Sequence, residues 1–100
     1  MADLNSDLRL AIDTGSVSFG KKETKNAIHS RKAKAVVLAS KGKADVLEEI
    51  VHLCKIAGIR VINFKGNPME LGTVCGKPFS VSCLAISEAG TSNILQENYD

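Results

Sequence analysis

The sequence predicts an α/β protein, a layered α/β/α domain built on four short strands. Three observations predict it. Helical and extended apolar patterns alternate along the chain, the extended runs are short and rich in Val, Ile and Ala, and glycines punctuate most of the joins.

Each element has its own warrant. Leu4, Leu8, Ala11 and Ile12 recur at helical spacing, and Gly15 ends that helix. Val17-Ser18-Phe19 makes a very short strand, after which Gly20 opens a second helix carrying Lys21, Lys22, Lys25, Ala27 and Ile28. Ala35-Val36-Val37-Leu38-Ala39 is apolar at every position, as a strand covered on both faces must be. The polar loop Ser40-Lys41-Gly42-Lys43 leads into the stripe Val46, Leu47, Ile50, Val51, Cys54 and Ala57, a helix closed by Gly58. Ile59-Arg60-Val61-Ile62-Asn63-Phe64 is a third strand, and Lys65-Gly66 turns the chain. Asn67-Pro68-Met69-Glu70 is a complete helix start, with Asn67 as N-cap, Pro68 at the first helical position and Glu70 placed to close a capping box. The short helix that follows runs to Val74 and Cys75 and stops at Gly76. Ser80-Val81-Ser82-Cys83-Leu84-Ala85-Ile86 is the fourth strand, and the stretch from Ser87 to Leu95 is expected to hold a last helical turn before a polar, frayed tail.

One hundred residues with 44% apolar and 24% charged content fill one domain, residues 1–100, and leave no room for a second. With three Phe, one Tyr and no Trp, the core is expected to be aliphatic and close-packed. No apolar run approaches the roughly 20 residues of a membrane span, and Met1-Ala2-Asp3-Leu4-Asn5 lacks the basic start and apolar stretch of a signal peptide, so a cytosolic protein is expected. Cys54, Cys75 and Cys83 fit no zinc or redox spacing and read as buried thiols. His29 and His52 lack partners at ligand spacing and read as exposed helix residues. No phosphate-binding, dinucleotide, metalloprotease or nucleophile-elbow motif occurs, which disfavours an enzyme and gives no catalytic residue, metal or cofactor. Net charge is only +2, from 13 basic and 11 acidic residues, so the distribution of charge carries more information than its sum.

That distribution has a geometric reading. The first two strands each run directly into a helix, so the loops at Gly20 and at Ser40-Lys41-Gly42-Lys43 lie together if those strands are parallel. The loop Gly76-Lys77-Pro78-Phe79 precedes its strand and joins the same edge only if the fourth strand is antiparallel, as a mixed sheet permits.

Gly20-Lys21-Lys22-Glu23-Thr24, then Lys32-Ala33-Lys34-Ala35-Val36-Val37-Leu38-Ala39, then Met69-Glu70-Leu71-Gly72-Thr73-Val74-Cys75-Gly76-Lys77-Pro78-Phe79 closely resemble the L-thirty-e ribosomal proteins. The resemblance runs from the first helix through Ser87-Glu88-Ala89-Gly90, and its most specific piece is Glu70-Leu71-Gly72 with Gly76-Lys77 and Phe79 at fixed distances. It implies a three-layer α/β/α sandwich with a mixed four-stranded sheet. It also implies a cytoplasmic, noncatalytic component of archaeal or eukaryotic large ribosomal subunits that binds and stabilises kink-turn rRNA through those three loops. Neighbouring large-subunit proteins are its expected partners, with no membrane, and the free protein is expected to be a monomer.

A kink-turn is a duplex bent sharply at an internal loop, which crowds phosphates and exposes unpaired bases. Gly20 permits close backbone approach and aims the first-turn amides of the second helix at a phosphate or base edge, while Lys21, Lys22 and Lys25 add charge. The alternative is a solvated basic helix face; the resemblance assigns Lys22 to RNA. Glu23 and Asn26 are candidates for base contact, or else ordinary helix-start residues, Glu23 favouring the positive end of the dipole. Thr24 reads as support for the helix start. In the second loop this chain has Lys41 and Ala44 where the resembled proteins usually have Asn and Pro, so Lys41 and Lys43 suit backbone phosphate rather than adenine. The resemblance implies that Phe79, beside Lys77, packs on an extruded nucleotide; the plainer reading makes Phe79 the first inward residue of the fourth strand. Ser82 stands where those proteins often have Gly, and is a candidate to crowd or hydrogen-bond the RNA backbone. Other readings stay open: a kink-turn protein of a guide-RNA particle, an mRNA autoregulator, or a protein-interaction module with basic loops.

Overall fold

The computed structural model describes residues 4–96. In chain order its elements are α1 (Leu4–Thr14), β1 (Ser16–Phe19), α2 (Lys21–His29), β2 (Ala35–Ala39), α3 (Ala44–Ala57), β3 (Arg60–Phe64), α4 (Pro68–Val74) and β4 (Cys83–Glu88). The strands form one mixed sheet in the order β1-β4-β2-β3, with β2 and β3 parallel and β4 antiparallel to both of its neighbours.

Alternation along β2 explains the three layers. Ala35, Val37 and Ala39 face a core shared with Leu8 and Ala11 of α1 and Leu71 of α4. Val36 and Leu38 face the opposite core, built with Ala27 and Ile28 of α2 and Ile50 and Cys54 of α3. All five β2 residues are buried, which is why that run carries no polar side chain. Burying a side chain the size of Leu38 stabilises the fold by about 1.5–3 kcal/mol, so the two faces of this one strand anchor both helical layers.

Local signals decide most boundaries. The capping box at α4 is complete: the Asn67 side chain accepts from the Glu70 amide at 2.8 Å, and the Glu70 carboxylate accepts from the Asn67 amide at 3.3 Å. Gly58, left-handed at φ 71°, closes α3. All three cysteines are buried thiols, as their spacing suggested, and burial pushes Cys54 and Cys75 up to about 11. Cys83 is also raised by burial. His29 and His52 are exposed.

Two expectations fail at the C-terminal end. The fourth strand begins at Cys83 rather than Ser80, because the preceding backbone is held by α4: the Val81 amide donates to the Pro68 carbonyl at 2.9 Å. Nor does a last helical turn occupy residues 87–95. Ser87 and Glu88 still belong to β4, where Ser16 pairs with Glu88, and isolated turns follow, closed by Ser92 N–H to Ala89 O and Gln96 N–H to Asn93 O. Ladder pairing with β1 outcompetes helix initiation there, since a single turn fixes several residues for one hydrogen bond. Ile94, fully buried, pins this segment to the α1/α4 core. The tail expected to fray lies, beyond Gln96, outside the described residues. No described helix is long and apolar enough to cross a membrane.

Candidate nucleic-acid interface

Strand direction fixes the site. β1, β2 and β3 all end at one edge of the sheet, and antiparallel β4 starts there, so the loops after Phe19 and Ala39 and the loop before Cys83 converge. Backbone hydrogen bonds lock them together. Gly20 N–H donates to Cys83 O at 2.9 Å, Ala39 N–H to Ser82 O at 2.9 Å, and Ser40 N–H to Phe64 O at 2.9 Å. The Lys77 ammonium sits 4.8 Å from the centre of the Phe19 ring, which joins the third loop to the end of β1.

At the first loop, Gly20 has φ 93° and ψ 164°, a conformation that side chains strain to adopt. Nothing lies within 4 Å of where its Cβ would be, so the backbone there is open to an approaching ligand. No side chain caps α2, which leaves the amides of Lys21, Lys22 and Glu23 pointing out of the helix start without a capping acceptor. Lys22, Glu23 and Asn26 are exposed. Lys21 and Lys25 turn toward α3 instead: Glu49 lies 3.2 Å from the Lys21 ammonium and also pairs with Lys25. Hydrogen bonds from Lys25 and Lys21 hold the exposed Glu49 carboxyl below its ordinary range. The fully buried Thr24 faces inward, as a support for the helix start does. Its hydroxyl makes no conventional hydrogen bond, and the Cys83 thiol lies beside it.

Lys41 and Lys43 are exposed in the second loop; Lys43 is the N-cap residue of α3 and caps it with no side-chain hydrogen bond. Two helix starts without a side-chain cap therefore share this edge with four exposed lysines of the α2 and β3 loops and the loop between them, Lys22, Lys41, Lys43 and Lys65. Two carboxylates near this edge are engaged locally: Asp45 in the first turn of α3 accepts from Val46 N–H at 3.0 Å, and Glu70 closes the α4 box. The summed field at the edge favours an anion.

In the third loop Phe79 is 52% exposed, so it is not an inward strand residue. Lys77 and Ser82 are half-buried beside it in the chain. The reason Phe79 sits outside is Gly72. A Cβ at Gly72 would lie 2.0 Å from the Phe79 carbonyl oxygen, so only glycine lets this backbone cross α4 so closely. The structure thus brings Gly20, Lys22, Glu23, Lys41, Lys43, Lys77, Phe79 and Ser82 to one edge, while Lys21 starts there and is drawn to Glu49, and Asn26 lies exposed further along α2.

Sequence reasoning left out a fourth loop. Residues 65–67 follow β3, and Lys41 N–H donates to Gly66 O at 3.0 Å, so Lys65 and the 67% exposed Met69 belong to the same region. The signal was present: a strand-helix-strand crossover makes β2 and β3 parallel, and parallel strands end together.

The family model described as Ribosomal protein L7Ae/L30e/S12e/Gadd45 family matches residues 2–96. The chain belongs to this family. Within the L7Ae/L30e family, the chain is similar to the large ribosomal subunit protein eL30 of Methanothermobacter thermautotrophicus, 42% identical over 94% of this chain and 96% of the relative. It is 43% identical to the eL30 of Methanospirillum hungatei over 93% of this chain and 95% of the relative. The eL30 of Methanocaldococcus jannaschii is 39% identical over 94% of this chain and 86% of its own length. The L7Ae/L30e match and the resemblance carried by the Gly20, Lys32 and Glu70 segments agree, over nearly the whole chain.

Proposed function

We propose that this protein is a noncatalytic structural constituent of the large ribosomal subunit, in the cytoplasm, and that it binds and stabilises kink-turn rRNA. The ribosomal part rests on relatives that carry the name large ribosomal subunit protein eL30 across nearly the full chain. The RNA part rests on one observation above the others: the loops of Gly20, Lys41 and Phe79 meet at one sheet edge, hydrogen-bonded to one another through β4 and β3.

The physical logic divides the work among the loops. The exposed helix-start amides at α2, and Lys22, Lys41 and Lys43, meet the crowded phosphates of the bend. Phe79, half out of the fold, offers a ring to an extruded base, and Glu23 and Asn26 offer acceptors and donors to base edges. Short loops pinned at both ends hold these groups in fixed relation, so a straight duplex does not reach all of them at once. Neighbouring ribosomal proteins are the other partners, and the free protein is a monomer.

The test compares a kink-turn RNA with a straight duplex of equal length at physiological salt. Preference of about tenfold or more for the kink-turn supports the proposal, and equal binding refutes the kink-turn part. Cosedimentation with mature large subunits separates the ribosomal reading from a guide-RNA particle or an mRNA autoregulator.

A further inference from the structure

Away from the loop edge, at the other end of the strands, the last turns of α2 and α3 and the residues that follow them line an open cavity of about 630 Å3. Its apolar lining comes from Ile28, Leu53, Ile56 and Ile59. Ile56 is 71% exposed, more than any other large apolar residue described. Arg31, Lys34 and His29 surround this lining, and among the described residues no carboxylate belongs to it. The cavity precedes β2 and β3, whereas the RNA-facing loops follow them, so about 17 Å of strand separates the two surfaces.

We infer that this groove docks an acidic peptide segment of a partner protein, anchored by one or two aliphatic or aromatic side chains. Charge complementarity supplies the argument for the acid: three basic side chains frame the groove, with no acid among its described lining residues. Shape supplies the anchor, because a cavity of this size with an aliphatic floor accepts a buried side chain. Arg31 strengthens the case. It alone among the described non-glycine residues has positive φ, at 61°, a turn that glycine makes without steric cost. Arginine there instead sets a guanidinium at the groove, the group best suited to a carboxylate. RNA fits less well, since the floor offers, among the described residues, no aromatic ring for a base to stack on.

The experiment uses the full chain and a synthetic peptide of Leu and Phe alternating with Asp and Glu, beside a counterpart with Lys for every acid. Amide shifts are mapped by NMR, and affinity is read by fluorescence anisotropy. The acidic peptide is expected to shift the amides of Ile28, Ile56 and Ile59 and to bind about tenfold or more tightly than the lysine form. Ile56→Asp, on an exposed helix position, is expected to weaken binding about tenfold. Arg31→Gly, which keeps the turn, is expected to weaken it severalfold. Saturating kink-turn RNA leaves peptide affinity unchanged, whether or not the RNA proposal holds. Equal binding of the two peptides, shifts confined to other surfaces, or an Ile56→Asp variant that binds normally overturns the inference. So does a groove whose amides respond to RNA and not to the acidic peptide.

Discussion

Gly72→Ala isolates the contact that sets Phe79 on the surface. A methyl at residue 72 would stand 2.0 Å from the Phe79 carbonyl oxygen and 3.1 Å from its carbon. Ordinary contact begins near 3.4 Å, so the loop must retreat by about 1.4 Å, the difference of the two distances. Retreat is resisted on both sides. Lys77 N–H donates to Gly72 O at 2.9 Å before the crossing, and Val81 N–H donates to Pro68 O at 2.9 Å after it. Overpacking costs about 1–3 kcal/mol and a weakened backbone hydrogen bond about 1 kcal/mol, against a gain near 1 kcal/mol from alanine's better helix propensity. The clash wins, and the net loss is about 1–3 kcal/mol. For a domain of this size each kcal/mol lowers Tm by about 4–8 °C, so calorimetry should show a fall of at least about 4 °C, with a parallel fall in the urea midpoint. Kink-turn binding should weaken as well, because Phe79 moves with its backbone. A variant as stable as the parent would refute the reasoning: helix propensity would then outweigh the close approach, and Gly72 would not be what places Phe79.

Phe79→Ala is expected to weaken kink-turn binding by about 1–3 kcal/mol while leaving thermal unfolding nearly unchanged, since the ring is half exposed; unchanged affinity in a titration removes Phe79 from the interface. Lys22→Glu should lower affinity and flatten the log-log salt dependence by about one unit, and an identical slope would reassign Lys22 to a solvated face. Asn67→Ala removes the acceptor of the α4 capping box and should cost about 1 kcal/mol in denaturant melts, with no loss indicating that Pro68 alone suffices to start the helix. Cys54 and Cys75 stand near 11 when folded against an ordinary value of 9.0, so the folded protein holds those protons more tightly than the unfolded chain. Their contribution should be intact below pH 9 and fade as the pH rises toward 11; pH-dependent melts flat across that window, or thiols that react at once with a disulfide reagent in the native state, would contradict their burial.

Most of the fold was legible because its signals are local. The five apolar residues of β2 read as a doubly covered strand, and the α3 stripe and the Asn67–Glu70 pair read as helices, since each depends on neighbours within one or two turns. The C-terminal region was misread for the opposite reason. Val81 looks like strand by its own character, yet its amide is taken by Pro68, a partner thirteen residues upstream. Ser87 and Glu88 look polar enough for a helix start, yet both continue β4, where Glu88 pairs with Ser16 of β1.

The candidate site divides in the same way. Gly20, Lys22, Lys41 and the Glu70-to-Phe79 segment announce themselves by residue type and by resemblance. Their meeting at one edge depends on β4 running antiparallel between β1 and β2, a choice made by sheet pairing rather than by any segment on its own. Lys21 shows the limit plainly: it has the right charge at the right loop, but Glu49, twenty-eight residues away on α3, takes its ammonium. The sequence by itself determined the kinds of element, the core residues and the chemistry available at the loops, because those follow from short-range pattern and side-chain type. Only the tertiary structure decided which lysines face outward, where Phe79 stands and what lies at the far end of the strands, because those depend on partners that are close in space and distant along the chain.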